Sequence, residues 1–138
     1  MAISYVIPLG FFGLSSPADS TTYFAGFGGS AMTGASDTWA ENHHEIVVAG
    51  TIVAVSYTFK NIGTLGSTEN VTTAIRLNDT TDIASVADAR FDVAFETLAV
   101  TGLSQAVVAG DKIAFKILTP AWNPNPTNVI ASAVVYLE

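Results

Sequence analysis

Val53-Ala54-Val55-Ser56-Tyr57-Thr58-Phe59 sets large apolar side chains two residues apart, with small or hydroxylated ones between them. Successive side chains of a strand point to opposite faces, so this spacing predicts a β-strand with one buried face. Phe91, Val93 and Phe95 alternate with Asp92, Ala94 and Glu96 in the same way, and Ile113, Phe115 and Ile117 alternate with Lys112, Ala114 and Lys116. From Val129 to Leu137 the chain is almost continuously apolar, which predicts a strand covered on both faces. Turn formers separate these runs: Asn61-Ile62-Gly63, Leu65-Gly66-Ser67, Asn78-Asp79-Thr80, Thr101-Gly102, Gly110-Asp111 and Asn123-Pro124-Asn125-Pro126. Helical spacing is nearly absent. Thr81 to Ala89 has the length of a short helix, but its Thr, Val and Asp content argues against one. The fold class expected is all-β, a sandwich or barrel.

The chain has 138 residues, enough for one domain with a sizeable core. Hydrophobic residues make up 49% and charged residues 12%, which excludes an intrinsically disordered chain. The charged share is about half that of an ordinary soluble domain, so much of the surface is expected to be buried against other chains. The net charge of −7 comes from 12 acidic and 5 basic residues. With no basic cluster to neutralise phosphates, nucleic acid and anionic membrane surfaces are not expected partners. No apolar run approaches the roughly 18 residues of a membrane span. The absence of cysteine removes disulfides, thiolate nucleophiles and cysteine-based zinc sites. Met1 to Pro8 carries no basic residue, and the first cationic side chain is Lys60, so the start does not read as a signal peptide.

The first 44 residues differ in character from residues 45–138. Two aromatic islands, Tyr5 to Phe12 and Tyr23 to Phe27, are set in Gly, Ser, Thr and Ala, and a low-complexity stretch from Gly28 to Thr38 follows. Residues 1–44 read either as an extended arm that docks on a neighbour or as early strands of the same sandwich joined by a long loop. One internal echo is present. Val47-Val48-Ala49-Gly50 leads into the strand at Val53, and Val107-Val108-Ala109-Gly110 leads into the one at Ile113. Equivalent corners of two Greek-key halves would produce such a pair.

The segment Gln105 to Ile117, an apolar strand, a Gly-Asp turn and an alternating strand, resembles the late part of the C1q and tumour-necrosis-factor-like jelly rolls. Asn128 to Glu138 resembles their final strand. Trp122 to Asn128 is similar to a segment that precedes the last strand in phage structural proteins. The resemblance covers about Glu45 to Glu138 and implies a jelly-roll β-sandwich that forms a homotrimer. In phage relatives it further implies a capsid decoration protein or a fibre head.

Chemistry-bearing patterns are sparse. His43-His44-Glu45 would point its two imidazoles to opposite faces of a strand, and no third ligand has recognisable spacing, so no metal is expected. Asn78-Asp79-Thr80-Thr81-Asp82 offers oxygen ligands for a cation but lacks the length, glycine and terminal Glu of a calcium loop. Asp92 and Glu96 read as solubilising residues on a strand's outer face. No nucleophile elbow, phosphate-binding glycine loop or Ser-His-Asp order is present, and neither an enzyme nor a cofactor is expected.

The function expected from these readings is that of a virion structural protein: a trimeric capsid decoration protein, bound to the major capsid protein or another virion protein and located in the virion. The alternative is a fibre-head or lectin-like module for a host glycan. Phe59, Phe95, Phe115, Val135 and Tyr136 are the expected core or three-fold packing residues. Tyr5, Phe11, Phe12, Tyr23 and Phe24 are the expected contacts with capsid or neighbours. Trp39 and Trp122 either stack on a glycan or anchor their loops.

Overall fold

The stretch Val53 to Phe59 lies in β5 (Gly50–Ile62), where Val55, Tyr57 and Phe59 are buried and Ala54, Ser56 and Thr58 face outward. The computed structural model describes residues 2–26, 32, 33, 42–66, 68–89 and 92–138, and among them it shows strands and no helix. Trp39, Phe91 and most of the Gly28–Thr38 stretch lie outside the described residues. So do the side chains of Phe11 and Phe12.

Two antiparallel sheets face each other as a β-sandwich. In the first, β1 (Tyr5–Ser15), β10 (Asn128–Leu137), β5 and β8 (Phe95–Val107) lie side by side in that order, with β3 (Met32–Thr33) parallel to β1 at its edge. In the second, the order is β2 (Thr22–Ala25), β9 (Lys112–Leu118), β6 (Val71–Leu77) and β7 (Thr81–Ala89), and the short β4 (His44–Glu45) also pairs with β9. The first 44 residues therefore supply strands to both sheets. β1 pairs with β10 from Tyr5↔Leu137 to Ser15↔Asn128, and β2 pairs with β9.

Registers explain how the core fills. Across the first sheet, Leu9, Ala133, Tyr57 and Leu98 share an inward row, as do Ile7, Val135, Val55 and Val100. The small Ala131 and Ala133 beside Phe59 and Tyr57 leave room for the two rings to reach the second sheet. There Phe115 lies 5.5 Å from Tyr57 and 6.2 Å from Phe59, centroid to centroid. The Tyr57 hydroxyl crosses the sandwich and donates to the Ala84 carbonyl of β7 at 2.8 Å. Ala84 sits at a bulge, where Thr73↔Val86 is followed by Ile75↔Ile83, and its φ of 51° turns that carbonyl off the ladder.

Two expectations need correction here. β10 is central in its sheet, yet its outward residue Ile130 is exposed, so the strand is covered on one face only. Apolar composition alone does not distinguish a two-sided core strand from one whose second face is left open. The second correction concerns β8, which begins at Phe95. Its inward residues are Glu96, Leu98 and Val100, and Phe95 is 62% exposed. Pairing of Tyr57 with Leu98 and Val55 with Val100 fixes that phase, so Glu96 stands beside Phe59 on the inner side of the strand rather than on the outer face.

Candidate interaction surface

The outer face of the first sheet is built from the residues that the core does not use. In register across β1, β10, β5 and β8 stand Val6, Tyr136, Ala54 and Thr101, then Pro8, Val134, Ser56 and Ala99. The next rows are Gly10, Ser132, Thr58 and Thr97, and then Ile130, Lys60 and Phe95. Within these four rows Lys60 is the one charged side chain, and Glu138 stands at the rim, paired with Thr51 in the row beyond Tyr136. Four strands about 4.8 Å apart and seven or eight residues long give a face of roughly 19 by 25 Å.

The opposite outer face, on the second sheet, is charged. Asp82 of β7 bonds Arg76 of β6 at 2.9 Å and Lys116 of β9 at 2.7 Å, and Arg76 also lies 3.6 Å from Asp79. Burial alone would raise the Asp82 pKa. The hydrogen bonds and charges of Lys116 and Arg76 outweigh it and hold the carboxyl below the ordinary aspartate value. In the turn before β7, Asn78 donates to Asp111 at 2.9 Å and accepts from the Lys112 N–H at 2.8 Å. The oxygens of Asn78 and Asp82, considered from sequence as cation ligands, thus accept from donors of the protein itself.

At one end of the sandwich the two Val-Val-Ala-Gly segments lie side by side. The Ile46 N–H bonds Asp111 O at 2.7 Å, and the Gly110 N–H bonds Ile46 O at 2.8 Å. Asp111 accepts from the Val108 N–H at 2.8 Å, and the Tyr5 hydroxyl donates to Val48 O. Val47, Val48 and Val108 are left 76%, 59% and 59% exposed on this tip.

The expected site residues divide between core and surface. Phe59, Phe115 and Val135 are buried inside one chain. Phe95 and Tyr136 belong to the outer face just described, with Tyr136 half-buried between Val6 and Ala54. Tyr5 is half-buried beside the Val48 loop, and Phe24 is half-buried on the outer face of the second sheet, in register with Lys116. Tyr23, expected to contact a neighbour, is fully buried in its own core, where its hydroxyl accepts from the Ala18 N–H at 2.9 Å. The alternation in Thr22–Ala25 places Tyr23 and Phe24 on opposite sides of the strand. Trp122 is 4% exposed and joins the core cluster, so its indole has no open face for a sugar, and its backbone N–H bonds Asp19 Oδ1. His44 pairs with Ile113 in the sheet. Among the described residues, no three His, Asp or Glu side chains form a metal-holding group.

No protein-family model matches the chain, and no curated protein matches it. Among solved structures it is similar to the crystal structure of FlhE, at 10% identity and a TM-score of 0.50, over 97% of this chain and 95% of that one. At this identity the likeness concerns the fold alone. It spans nearly the whole chain, the first 44 residues included, whereas the resemblance to phage proteins rested on two thirds of it. The expectation of a virion structural protein, whether capsid decoration or fibre head with a host glycan, is therefore corrected: the chain is similar in fold to FlhE, which is not a phage structural protein. The motif that suggested otherwise, a Gly-Asp turn before an alternating strand, meets a need common to antiparallel sandwiches. Gly110, at a φ of 95°, reverses the chain between β8 and β9.

Proposed function

We propose that this protein is a non-catalytic jelly roll that works by self-association through the outer face of its first sheet. The jelly-roll reading is supported by the strand order. β1-β10-β5-β8 opposite β2-β9-β6-β7 is the order expected when a long antiparallel hairpin of eight strands is rolled into two Greek keys. The C1q and tumour-necrosis-factor-like form of it has the support of a final strand, β10, that lies between β1 and β5.

The observation that carries the self-association reading is the distribution of charge. The molecule is strongly acidic, and two copies repel wherever carboxylates meet. The four rows of the outer face, from that of Val6 and Thr101 to that of Ile130 and Phe95, carry one Lys and no carboxylate, Glu138 lying beyond them at the rim beside Thr51. Their Ser, Thr, Ala and Val side chains let two flat sheets approach to about 10 Å. Its roughly 19 by 25 Å extent supplies much of the ~800 Å² per partner that a stable interface buries. A second copy is therefore the partner that this face fits.

Light scattering on the purified chain, from low to high micromolar concentration, tests the reading. A mass of at least two chains is expected, and three is the stoichiometry implied by the C1q resemblance. Ser56→Lys, at the centre of the face, is expected to break this contact and lower the mass of the assembly while leaving the circular dichroism unchanged. A wild-type protein that stays monomeric throughout overturns the proposal.

A further inference from the structure

Sheet edges expose unpaired N–H and C=O groups, and soluble proteins protect them with bulges, charges or short strands. Among the described residues three of the four edges are protected. β2 has four residues, β1, which β3 covers only at Leu14 and Ser15, carries Pro8, Gly10 and a register shift between Phe11 and Leu14, and β7 is interrupted by two bulges and carries Asp82. The fourth edge is β8, which pairs with β5 on one side and, among the described residues, with no strand on the other. From Phe95 to Thr101 its register with β5 is unbroken, from Lys60↔Phe95 to Ala54↔Thr101. This segment, Phe95-Glu96-Thr97-Leu98-Ala99-Val100-Thr101, has no Pro, no Gly and a single charge at one end. Its inward side chains Leu98 and Val100 pack on the core cluster but remain only partly buried, because the sheet stops there.

We propose that the Phe95–Thr101 edge is a second association site, at which β8 of another copy pairs antiparallel to continue the first sheet across a two-fold axis. Four observations select a second copy as the occupant. The segment is uniform enough to face its own reverse. Antiparallel pairing sends the two Glu96 carboxylates to opposite ends of the ladder, so the one charge of the edge does not meet itself. Leu98 and Val100 of each copy extend the inner rows of the other, Leu9-Ala133-Tyr57 and Ile7-Val135-Val55, and cover each other's exposed portions. The added strand also contributes a ladder of backbone hydrogen bonds along the edge. This site does not depend on the stacking of outer faces, and either contact can form without the other.

The two-fold geometry makes a sharp expectation. Residues opposite each other in an antiparallel pair share a face, so the axis passes through one residue, which then faces its own copy. The chain has no cysteine, so single-cysteine variants report on one position each. Cysteines placed one at a time at Thr97, Leu98, Ala99, Val100 and Thr101, and at Ser56 and Ser132 on the outer face, are oxidised in dilute solution and read as covalent dimer on denaturing gels. A disulfide needs Cα atoms about 4.4–6.8 Å apart, so strong cross-linking is expected at one β8 position, with loss to background two residues away. Thr97, Ala99 and Thr101 are exposed, so those variants keep the fold even if the half-buried positions do not. Cross-links confined to Ser56 or Ser132 overturn the edge contact and leave face stacking standing. Cross-linking at β8 together with a wild-type mass unaffected by Ser56→Lys upholds the edge contact and overturns the face. Cross-linking at none of the β8 positions overturns the edge contact.

Discussion

Tyr57 ties the two sheets together at the scale of a single side chain. Its ring fills the space left by Ala133, and its hydroxyl donates to Ala84 O in the facing sheet. Burial, and then the negative charge of Asp82, push the Tyr57 pKa well above the ordinary tyrosine value, so the group remains a protonated donor. Tyr57→Phe keeps the ring and strands a buried carbonyl, and is expected to lower unfolding free energy by about 1–3 kcal/mol in urea titrations. Gly110 supplies a different single-residue case. A Cβ built there meets no atom within 4 Å, so the φ of 95° is the whole cost of a side chain. Gly110→Ala is expected to destabilise by roughly 1–2 kcal/mol without altering the mass or secondary structure. A neutral result for either variant contradicts the role given to the residue.

Between elements, the end of the sandwich opposite the valine tip is held by side chains that bond backbone of the neighbouring loop. Thr119, buried after β9, donates to Ala18 O at 2.6 Å and accepts from the Thr21 N–H at 2.8 Å. Asp19 accepts from the Trp122 N–H at 3.2 Å and from Asn125 Nδ2 at 2.9 Å. These bonds join the β1–β2 loop to the β9–β10 loop and hold the paired strands β2 and β9 in place. Thr119→Val conserves the shape and removes the hydroxyl, and is expected to cost about 1–3 kcal/mol. Hydrogen exchange should show the loss of protection in residues 18–21 before the rest of the sheet. Unchanged exchange in that loop counts against the coupling.

For the whole molecule, acid is the informative stress. Asp82 is held below the ordinary aspartate value by Lys116 and Arg76 against the opposing pull of burial, and Asp111 by hydrogen bonds from Asn78 and then the Val108 N–H. A carboxyl with a depressed folded pKa contributes stability that is fully present above its unfolded value, near 3.9, and is lost as pH falls through the folded value. Urea midpoints are thus expected to hold down to about pH 4 and to fall below it. Asp82→Asn should lose stability above that pH and show a shallower decline below it. Parallel acid limbs in wild type and variant would exclude Asp82 as a source of the decline.

The alternation in Val53–Phe59 and Ile113–Ile117 was enough to read β5 and β9, because a strand buried on one side imposes a period of two on its own residues. The turn residues and the dearth of helical spacing determined the all-β class for the same local reason. Composition likewise showed a surface short of charge, but not which surface. Tertiary structure alone decided that Leu98 and Val100 rather than Phe95 face the core, since the choice between two interleaved apolar sets depends on the register of β5. It also decided that Tyr23 and Trp122 turn inward and that the two Val-Val-Ala-Gly segments meet at one tip. Residues far apart in the chain acquire a shared face only through strand pairing, and so does the uncharged outer face, whose rows draw on β1, β10, β5 and β8.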